Sequence, residues 1–253
     1  MILLTGKNAI ERNIQLLKDK DPAVRRNAAE MLGRSMDPRA TKPLIKLLQA
    51  EQIHEVRRAI VLSLSLLGGD EVLEVLLEVL KNDDDSETRR NAAGGLRFFT
   101  NKVKALDILH LLLKEKDKTV RDVLVGTTMY LRDASIIPEL LRLFTLEKNE
   151  ELKSCLLEII GLYDDGQTKE LLRKCTGAEY SEELRFIATR AIGKLDDVSF
   201  IPLLYDISQK DDSEQIREHA HKVLDELAVV LGFNTVDQMV LEYLQQAEKK
   251  SKE

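Results

Sequence analysis

The sequence predicts an all-α fold: an α-α superhelix, or solenoid, of seven 32-residue helix pairs followed by a C-terminal capping helix. Three observations predict it. Basic residues recur every 32 positions, apolar residues recur around them at helical spacing, and turn-forming residues recur between them. The 253 residues include only five prolines and twelve glycines, too few for a fold of many short strands.

The basic column defines the second helix of each pair. It consists of Arg25, Arg57, Arg89, Arg121, Lys153, Arg185 and Arg217. The positions one before, three after and seven after each member are apolar, with Thr88 and Thr128 as the exceptions. Because residues four apart share one face of a helix, each triplet forms a buried stripe. A stripe that repeats at a fixed interval predicts helices that stack on their neighbours.

A first helix precedes each of these, and a turn column separates successive pairs. The turn column is Asp37, Gly69, Asn101, Asp133, Asp165 and Asp197, residue types that favour turns. The predicted first helices cover 8–17, 39–49, 71–81, 103–114, 135–146, 167–176 and 199–209. The predicted second helices cover 22–35, 54–67, 86–99, 118–131, 150–163, 182–195 and 214–231. The predicted capping helix covers 235–248. We expect one domain over 1–253, with repeats at about 8–36, 37–68, 69–100, 101–132, 133–164, 165–196 and 197–231.

The stretches 21–29 (DPAVRRNAA), 88–93 (TRRNAA) and 184–188 (LRFIA) show the repeat most clearly. The pattern resembles the HEAT-repeat family, and within it the branch of phycobilisome-lyase HEAT-like repeats, over residues 8–231. The resemblance implies that first helices line the convex side and second helices the concave side, which usually holds a partner. It implies little about function, because such repeats serve scaffolds, transport adaptors, lyase subunits and a few enzymes.

Charge is unevenly distributed along the chain. Residues 1–126 carry 22 Lys and Arg against 19 Asp and Glu, whereas residues 127–253 carry 16 against 25, for a net charge of −6. An acidic chain is a poor general binder of nucleic acid, whose affinity depends on neutralising phosphates. No stretch has the length of a secretion signal or a membrane span, and two cysteines make no disulfide framework. We therefore expect a cytoplasmic protein that binds no membrane, and the charge disfavours a nucleic acid as its partner.

The candidate partner-binding residues lie on the second helices. Arg26, Arg58 and Arg90 occupy one column in the first three repeats only, and Arg34 and Arg97 join them. We hypothesise that this patch binds an acidic segment of a partner protein, since arginine suits contact with carboxylates. The alternative is an ordinary solvated face with pairs inside each helix to Glu30 or Glu87. The remaining candidate residues are Leu62, Phe186 and Arg190.

The basic column itself has a structural interpretation. In HEAT repeats a basic residue at this position typically bonds acidic or carbonyl groups of adjacent turns, so we expect a ladder along the stack. Gly94 and Gly126 occupy equivalent places in two second helices, and Gly95 follows the first. Since glycine weakens a helix by about 1 kcal/mol against alanine, these glycines indicate either close packing or a smooth groove that admits a partner.

The sequence gives little support for catalysis. The four histidines include only one His-Glu pair, His54-Glu55, of the kind that holds two irons in HEAT-like deoxyhypusine hydroxylase, so we expect no metal and no cofactor. No nucleophile has an adjacent base, and no glycine-rich phosphate loop is present. The leading prediction is a non-catalytic scaffold or adaptor that binds a protein on the concave face. The alternatives are a chromophore-lyase-like or small-molecule-handling subunit, and a nucleic-acid-binding or base-repair module.

Overall fold

The computed structural model describes residues 7–195 and 197–250, and every regular element in that part of the chain is helical. The first helices are α1 (Lys7–Leu16), α3 (Thr41–Ala50), α5 (Asp70–Asn82), α7 (Ala105–Leu112), α9 (Ile137–Leu146), α11 (Gly166–Cys175) and α13 (Ile201–Lys210). The second helices are α2 (Pro22–Ser35), α4 (His54–Leu67), α6 (Ser86–Gly95), α8 (Lys118–Leu131), α10 (Glu150–Ile160), α12 (Glu182–Lys194) and α14 (Glu214–Leu231). Helix α15 (Val236–Lys250) follows them. The predicted all-α solenoid of seven helix pairs is confirmed.

Most second helices begin at a capping residue that repeats with the same period. The side chains of Asp21, Asp85, Asp117, Asn149, Ser181 and Ser213 each accept a backbone N–H from the first turn of the helix that follows. Such a cap stabilises a helix by about 1 kcal/mol because it satisfies an amide that has no partner inside the helix. The second-helix starts therefore coincide with the predicted ones.

Three second helices end earlier than predicted, and one of them, α12, does so by a single residue, at Lys194. Helix α6 stops at Gly95 and a 3-10 turn, Leu96–Phe99, replaces its predicted last turn, while α10 stops at Ile160. The reason in α6 is the pair Gly94-Gly95, since each glycine favours the unfolded chain over the helix. Three predicted first-helix starts are likewise 3-10 turns, at Pro38–Ala40, Ala134–Ile136 and Val198–Phe200.

The chain divides into two compact units, Met1–Asp133 and Ala134–Glu253, here called the N-terminal unit and the C-terminal unit. In the N-terminal unit α2 packs on α4, α4 on α6 and α6 on α8. In the C-terminal unit α10 packs on α12 and α12 on α14, while α13 and α14 contact α15. A single domain over the whole chain stays a prediction, and its limits at 1 and 253 lie outside the described residues.

The predicted apolar stripes form the core of each unit. In the N-terminal unit the completely buried side chains include Leu32, Ile60, Leu64, Leu96 and Leu124. In the C-terminal unit Leu156, Ile160, Ala188, Ala220 and Leu224 are buried in the same way. Burying a leucine or isoleucine side chain contributes about 1.5–3 kcal/mol, so the repeated stripe accounts for the stacking.

The basic column forms the expected ladder. Arg25 on α2 donates two hydrogen bonds to Glu51, beyond the end of α3, at 2.7 and 2.9 Å, and its Nη1 donates to the carbonyl oxygens of Asp19 and Lys20. The same arrangement, with the carboxylate 26 residues after the arginine, joins the pairs Arg57–Asp83, Arg89–Glu115 and Arg185–Asp211. Each arginine thus ties the loop within its own repeat to the loop of the next repeat.

Two of the ladder carboxylates, Glu51 and Glu115, are held in their charged form. Burial raises the pKa of Glu115, but the hydrogen bonds from Arg89 and from the backbone N–H of Asp117 and Lys116 outweigh it, so the pKa lies below its usual value. The pKa of Glu51 is lowered by the same balance. Lys153 departs from the pattern, since its Nζ lies 5.4 Å from the centre of the Phe144 ring.

No single helix within residues 7–195 and 197–250 has the length and apolar composition needed to cross a membrane. One bent pair, Glu214–Leu231 with Val236–Gln245, meets those criteria only when its two helices, which meet at 79°, are taken together.

Candidate interaction groove

A groove of about 770 Å³ crosses the second helices of the N-terminal unit; we call it the N-terminal groove. Its apolar lining comes from Leu62 and Leu66 on α4 and from Phe98 in the 3-10 turn after α6. These side chains are 49%, 47% and 67% exposed. Three large, exposed apolar side chains that share one hollow make it a candidate interaction site.

Three arginines rim the N-terminal groove. Arg34 lies 3.6 Å from Glu30, and Arg90 pairs with Glu87 at 2.6 Å in the preceding turn of its own helix. Arg97 donates only a long hydrogen bond, 3.4 Å, to the hydroxyl of Thr127. Among the described residues no carboxylate lies within ion-pairing distance of Arg97. The rim therefore offers one guanidinium that is not neutralised.

The glycines around the groove have three different roles. A Cβ at Gly95 would overlap the hydroxyl of Ser65, so Gly95 permits close packing of α6 against α4. A Cβ at Gly94 would meet only Val123, at 3.8 Å, so Gly94 leaves open space in the groove wall. A Cβ at Gly126 would lie 2.6 Å from Nη2 of Arg97, so Gly126 makes room for that guanidinium. Gly95 thus serves close packing of helices, whereas Gly94 leaves the groove wall open.

The structure brings Arg34, Arg90, Arg97 and Leu62 together, but Arg26 and Arg58 do not line the groove. Arg58 instead donates two hydrogen bonds, of 2.7 and 2.6 Å, to Asp85 at the start of α6. Those bonds hold the pKa of the Asp85 carboxyl well below its usual range. Arg58 therefore joins two repeats, and partner binding by the three-arginine stripe stays a prediction.

The expected pairs inside the helices are also present. Arg26 lies 3.8 Å from Glu30, and Arg90 pairs with Glu87 as described above. Both pairs are solvent-exposed and contribute about 0.3–0.5 kcal/mol each. The alternative interpretation, a solvated face, therefore describes Arg26 well, while Arg90 belongs both to such a pair and to the rim of the groove.

The other two candidate residues belong to a separate cluster in the C-terminal unit. Arg190 on α12 forms an ion pair with Glu158 on α10, and its guanidinium lies 5.9 Å from the centre of the Phe186 ring. Phe186 in turn contacts the ring of His219 on α14, at 5.4 Å between centres. Burial and the neighbouring Arg190 and Lys222 lower the pKa of His219. Arg190 thus contacts Glu158 through an ion pair and Phe186 through its ring.

Leu66, Phe98 and Asn91 line the groove but were not predicted. A signal for two of them exists in the sequence, because Leu66 and Phe98 stand 32 residues apart in the column that begins with Arg34. An apolar residue at an equivalent exposed position in successive repeats is the pattern that would have found them.

The groove has the chemistry of a binding surface. Its lining combines apolar, arginine, serine and asparagine side chains with one glutamate, Glu30. No group of three His, Cys, Asp or Glu side chains in the described ranges is placed to share a metal ion. Elsewhere, burial raises the pKa of the Cys175 thiol to about 12, which keeps it protonated and unreactive at neutral pH.

Comparison with known proteins supports the repeat assignment. The family model of HEAT repeats matches residues 10–97 and 54–129. The crystal structure of YibA from Escherichia coli superposes with a TM-score of 0.54 at 16% identity, over 94% of this chain and 92% of that one. No curated protein sequence matches significantly.

Two further solved structures show weaker likeness. The complex of CpcE and CpcF of phycocyanin lyase from Nostoc sp. PCC7120 gives a TM-score of 0.47 at 18% identity, over 94% of each chain. Human deoxyhypusine hydroxylase in complex with glycerol gives 0.40 at 17% identity, over 88% of this chain and 85% of that one. At these identities the likeness concerns the fold alone. The family model of HEAT repeats thus covers residues 10–129, and helix pairs of the same kind continue through the rest of the described chain.

Proposed function

We propose that this protein is a non-catalytic scaffold or adaptor that binds a partner protein on the second-helix face of its N-terminal unit. The observation that carries the proposal is the N-terminal groove, where exposed Leu62, Leu66 and Phe98 lie beside three arginines. Apolar side chains surrounded by a polar rim are the usual anatomy of a protein-binding surface.

Energetics favour a protein as the occupant. Removing the exposed parts of Leu62, Leu66 and Phe98 from water releases free energy at about 25 cal/mol for each Å² of apolar surface. Phenylalanine and arginine are also frequent at the centres of interfaces, where they contribute most of the binding energy. The groove supplies both types within one hollow.

A site-specific crosslink tests the proposal. The photoreactive residue p-benzoylphenylalanine replaces Phe98 in the full chain, and the protein is irradiated in a lysate of its native cell. We expect one discrete adduct on a gel, because a partner in the groove would cover position 98. Leu106 on the first helix α7 is also an exposed apolar residue and provides the matched control position, where we expect no adduct.

A second variant ties the adduct to the groove. Leu62→Glu places a carboxylate among the apolar lining, and this change should remove the adduct at position 98 while the circular dichroism spectrum stays unchanged. Equal adducts at positions 98 and 106, or an adduct that survives Leu62→Glu, would contradict the proposal.

A further inference from the structure

We infer that the N-terminal groove accepts an amphipathic acidic helix, whose apolar side packs on Leu62, Leu66 and Phe98 and whose carboxylate pairs with Arg97. This inference rests on the proposed function and specifies the chemistry of the partner. Four observations support it: the placement of Arg97, the charge of the lining, the helical structure of most of the groove wall, and the open space at Gly94.

Arg97 occupies a position that other repeats use for packing. The equivalent residues are Gly33, Ser65, Met129, Gly161 and Gly193, and the last repeat, which has no following repeat to stack on, carries Asp225 there. A Cβ at Gly33 would lie 2.6 Å from Ser63, and one at Gly193 would lie 2.7 Å from Val223, both on the next second helix. An arginine fits at position 97 because α6 has ended at Gly95 and because α8 presents Gly126. Stacking of the repeats requires no charge there.

The lining of the groove is positively charged. It contains Arg34, Arg90 and Arg97 against the single carboxylate Glu30, a net charge of +2. Glu30 lies near Arg34, and Glu87 neutralises Arg90, which leaves Arg97 as the arginine without an acidic partner among the described residues. A guanidinium binds a carboxylate through two parallel hydrogen bonds, which are about twice as strong as neutral ones. The partner therefore carries an Asp or Glu beside its apolar side chains.

The groove wall favours a helix over an extended segment. Most of the lining residues lie inside α2, α4 and α6, where backbone groups bond within the helix, so the wall presents mainly side chains. An extended peptide across Leu62 and Leu66 would leave its N–H and C=O groups without partners, whereas a helix satisfies its own. An amphipathic helix laid in an apolar groove is a recurrent recognition mode. The open space at Gly94 lets such a helix approach α6 closely.

A nucleic acid fits the same groove less well. Phosphates also pair with arginine, but single-stranded nucleic acid binds through bases that stack on aromatic rings. Phe98 is the one aromatic side chain in the lining, and Leu62 and Leu66 offer no stacking surface. The apolar part of the groove would stay uncovered.

Binding of designed peptides to the full chain tests the inference. The first peptide has roughly four helical turns, leucines along one face and flanking glutamates. The second replaces the glutamates with lysines, and the third places a proline at the centre of the glutamate peptide. In fluorescence anisotropy at low salt we expect the glutamate peptide to bind about tenfold more tightly than either of the others.

Variants of the chain locate the contact. Arg97→Gln should weaken binding of the glutamate peptide by about five- to tenfold, because one charge-assisted contact is lost. Arg142→Gln is the matched control, since Arg142 on α9 is an exposed arginine outside the groove, and it should change the affinity by less than about twofold. Gly126→Ala displaces the Arg97 guanidinium and should weaken binding without lowering the midpoint of urea unfolding.

Three results would overturn the inference: equal affinity for glutamate and lysine peptides, an unchanged affinity in Arg97→Gln, or tighter binding of a single-stranded oligonucleotide than of the glutamate peptide. An adduct at position 98 without any preference among the peptides would leave the proposed function standing and reject the acidic helix. The absence of both the adduct and peptide binding would reject the two proposals together.

Discussion

The second-helix faces of the two units differ at equivalent positions. One column carries Leu62 and Gly94 in the N-terminal unit, and Glu158 and Arg190 in the C-terminal unit. In the first unit this column lines an open groove, whereas in the second the two side chains form an ion pair between α10 and α12. The same backbone repeat thus carries an open apolar groove in the N-terminal unit and a paired, charged surface in the C-terminal unit.

The difference separates the residues that stacking of the repeats requires from the positions that can vary without affecting stacking. The ladder arginines occur in both units with the same geometry, for example Arg89–Glu115 and Arg185–Asp211. The column one residue later has no common geometry: Arg58 joins two repeats, Arg90 rims the groove, and Phe186 contacts His219. Features that recur in every repeat belong to stacking, and features confined to one unit are the candidates for binding.

The largest expected effect compares Arg89 with its neighbour Arg90. Arg89→Ala leaves Glu115 and the carbonyl oxygens of Asp83 and Asp84 without their donor in a half-buried place. We expect a loss of about 2–3 kcal/mol in the free energy of unfolding, measured by urea denaturation. Arg90→Ala removes an exposed pair and should cost less than about 0.5 kcal/mol. Equal losses would show that the groove rim is structural, and the contrast between ladder and rim would fail.

Sequence periodicity was sufficient for the fold because stacking places the same demand on every repeat. The starts of α2, α4, α8 and α12 therefore coincide with the predicted ones. The groove was predicted only in part, since its arginines and Leu62 were candidates but Leu66 and Phe98 were not. The early end of α6 at Gly95 and the 3-10 turn after it have no counterpart in the repeat pattern. The ion pair of Arg58 was not predicted, because its partner Asp85 belongs to the next repeat and is not visible from local spacing.

Low pH should reduce the free energy of unfolding by an intermediate amount. This loss should depend on the ladder carboxylates and not on the second-helix face of either unit. The folded pKa of Glu115 lies below the usual 4.5, so its carboxylate contributes stability above pH 4.5 and loses that contribution as the pH falls through the folded value. Glu115→Gln should cost about 1–2 kcal/mol at pH 7 and progressively less below pH 4.5. Urea denaturation at several pH values measures the difference, and a cost independent of pH would contradict it.

The smallest effect concerns the ion pair that covers the C-terminal face. Glu158 and Arg190 are each 32% exposed, so solvent screens their attraction, and a double-mutant cycle with Glu158→Gln and Arg190→Gln should give a coupling energy of about 0.5 kcal/mol. This small coupling energy is sufficient to distinguish the second-helix faces of the two units. The ion pair needs only to keep Arg190 from binding another carboxylate, and it need not stabilise the repeat. Arg190 remains beside Phe186 in the Glu158→Gln variant, which should therefore unfold at nearly the wild-type urea concentration. A coupling energy of zero would mean that Arg190 is as available to a carboxylate partner as Arg97, and the two faces would then differ in sequence but not in what they can bind.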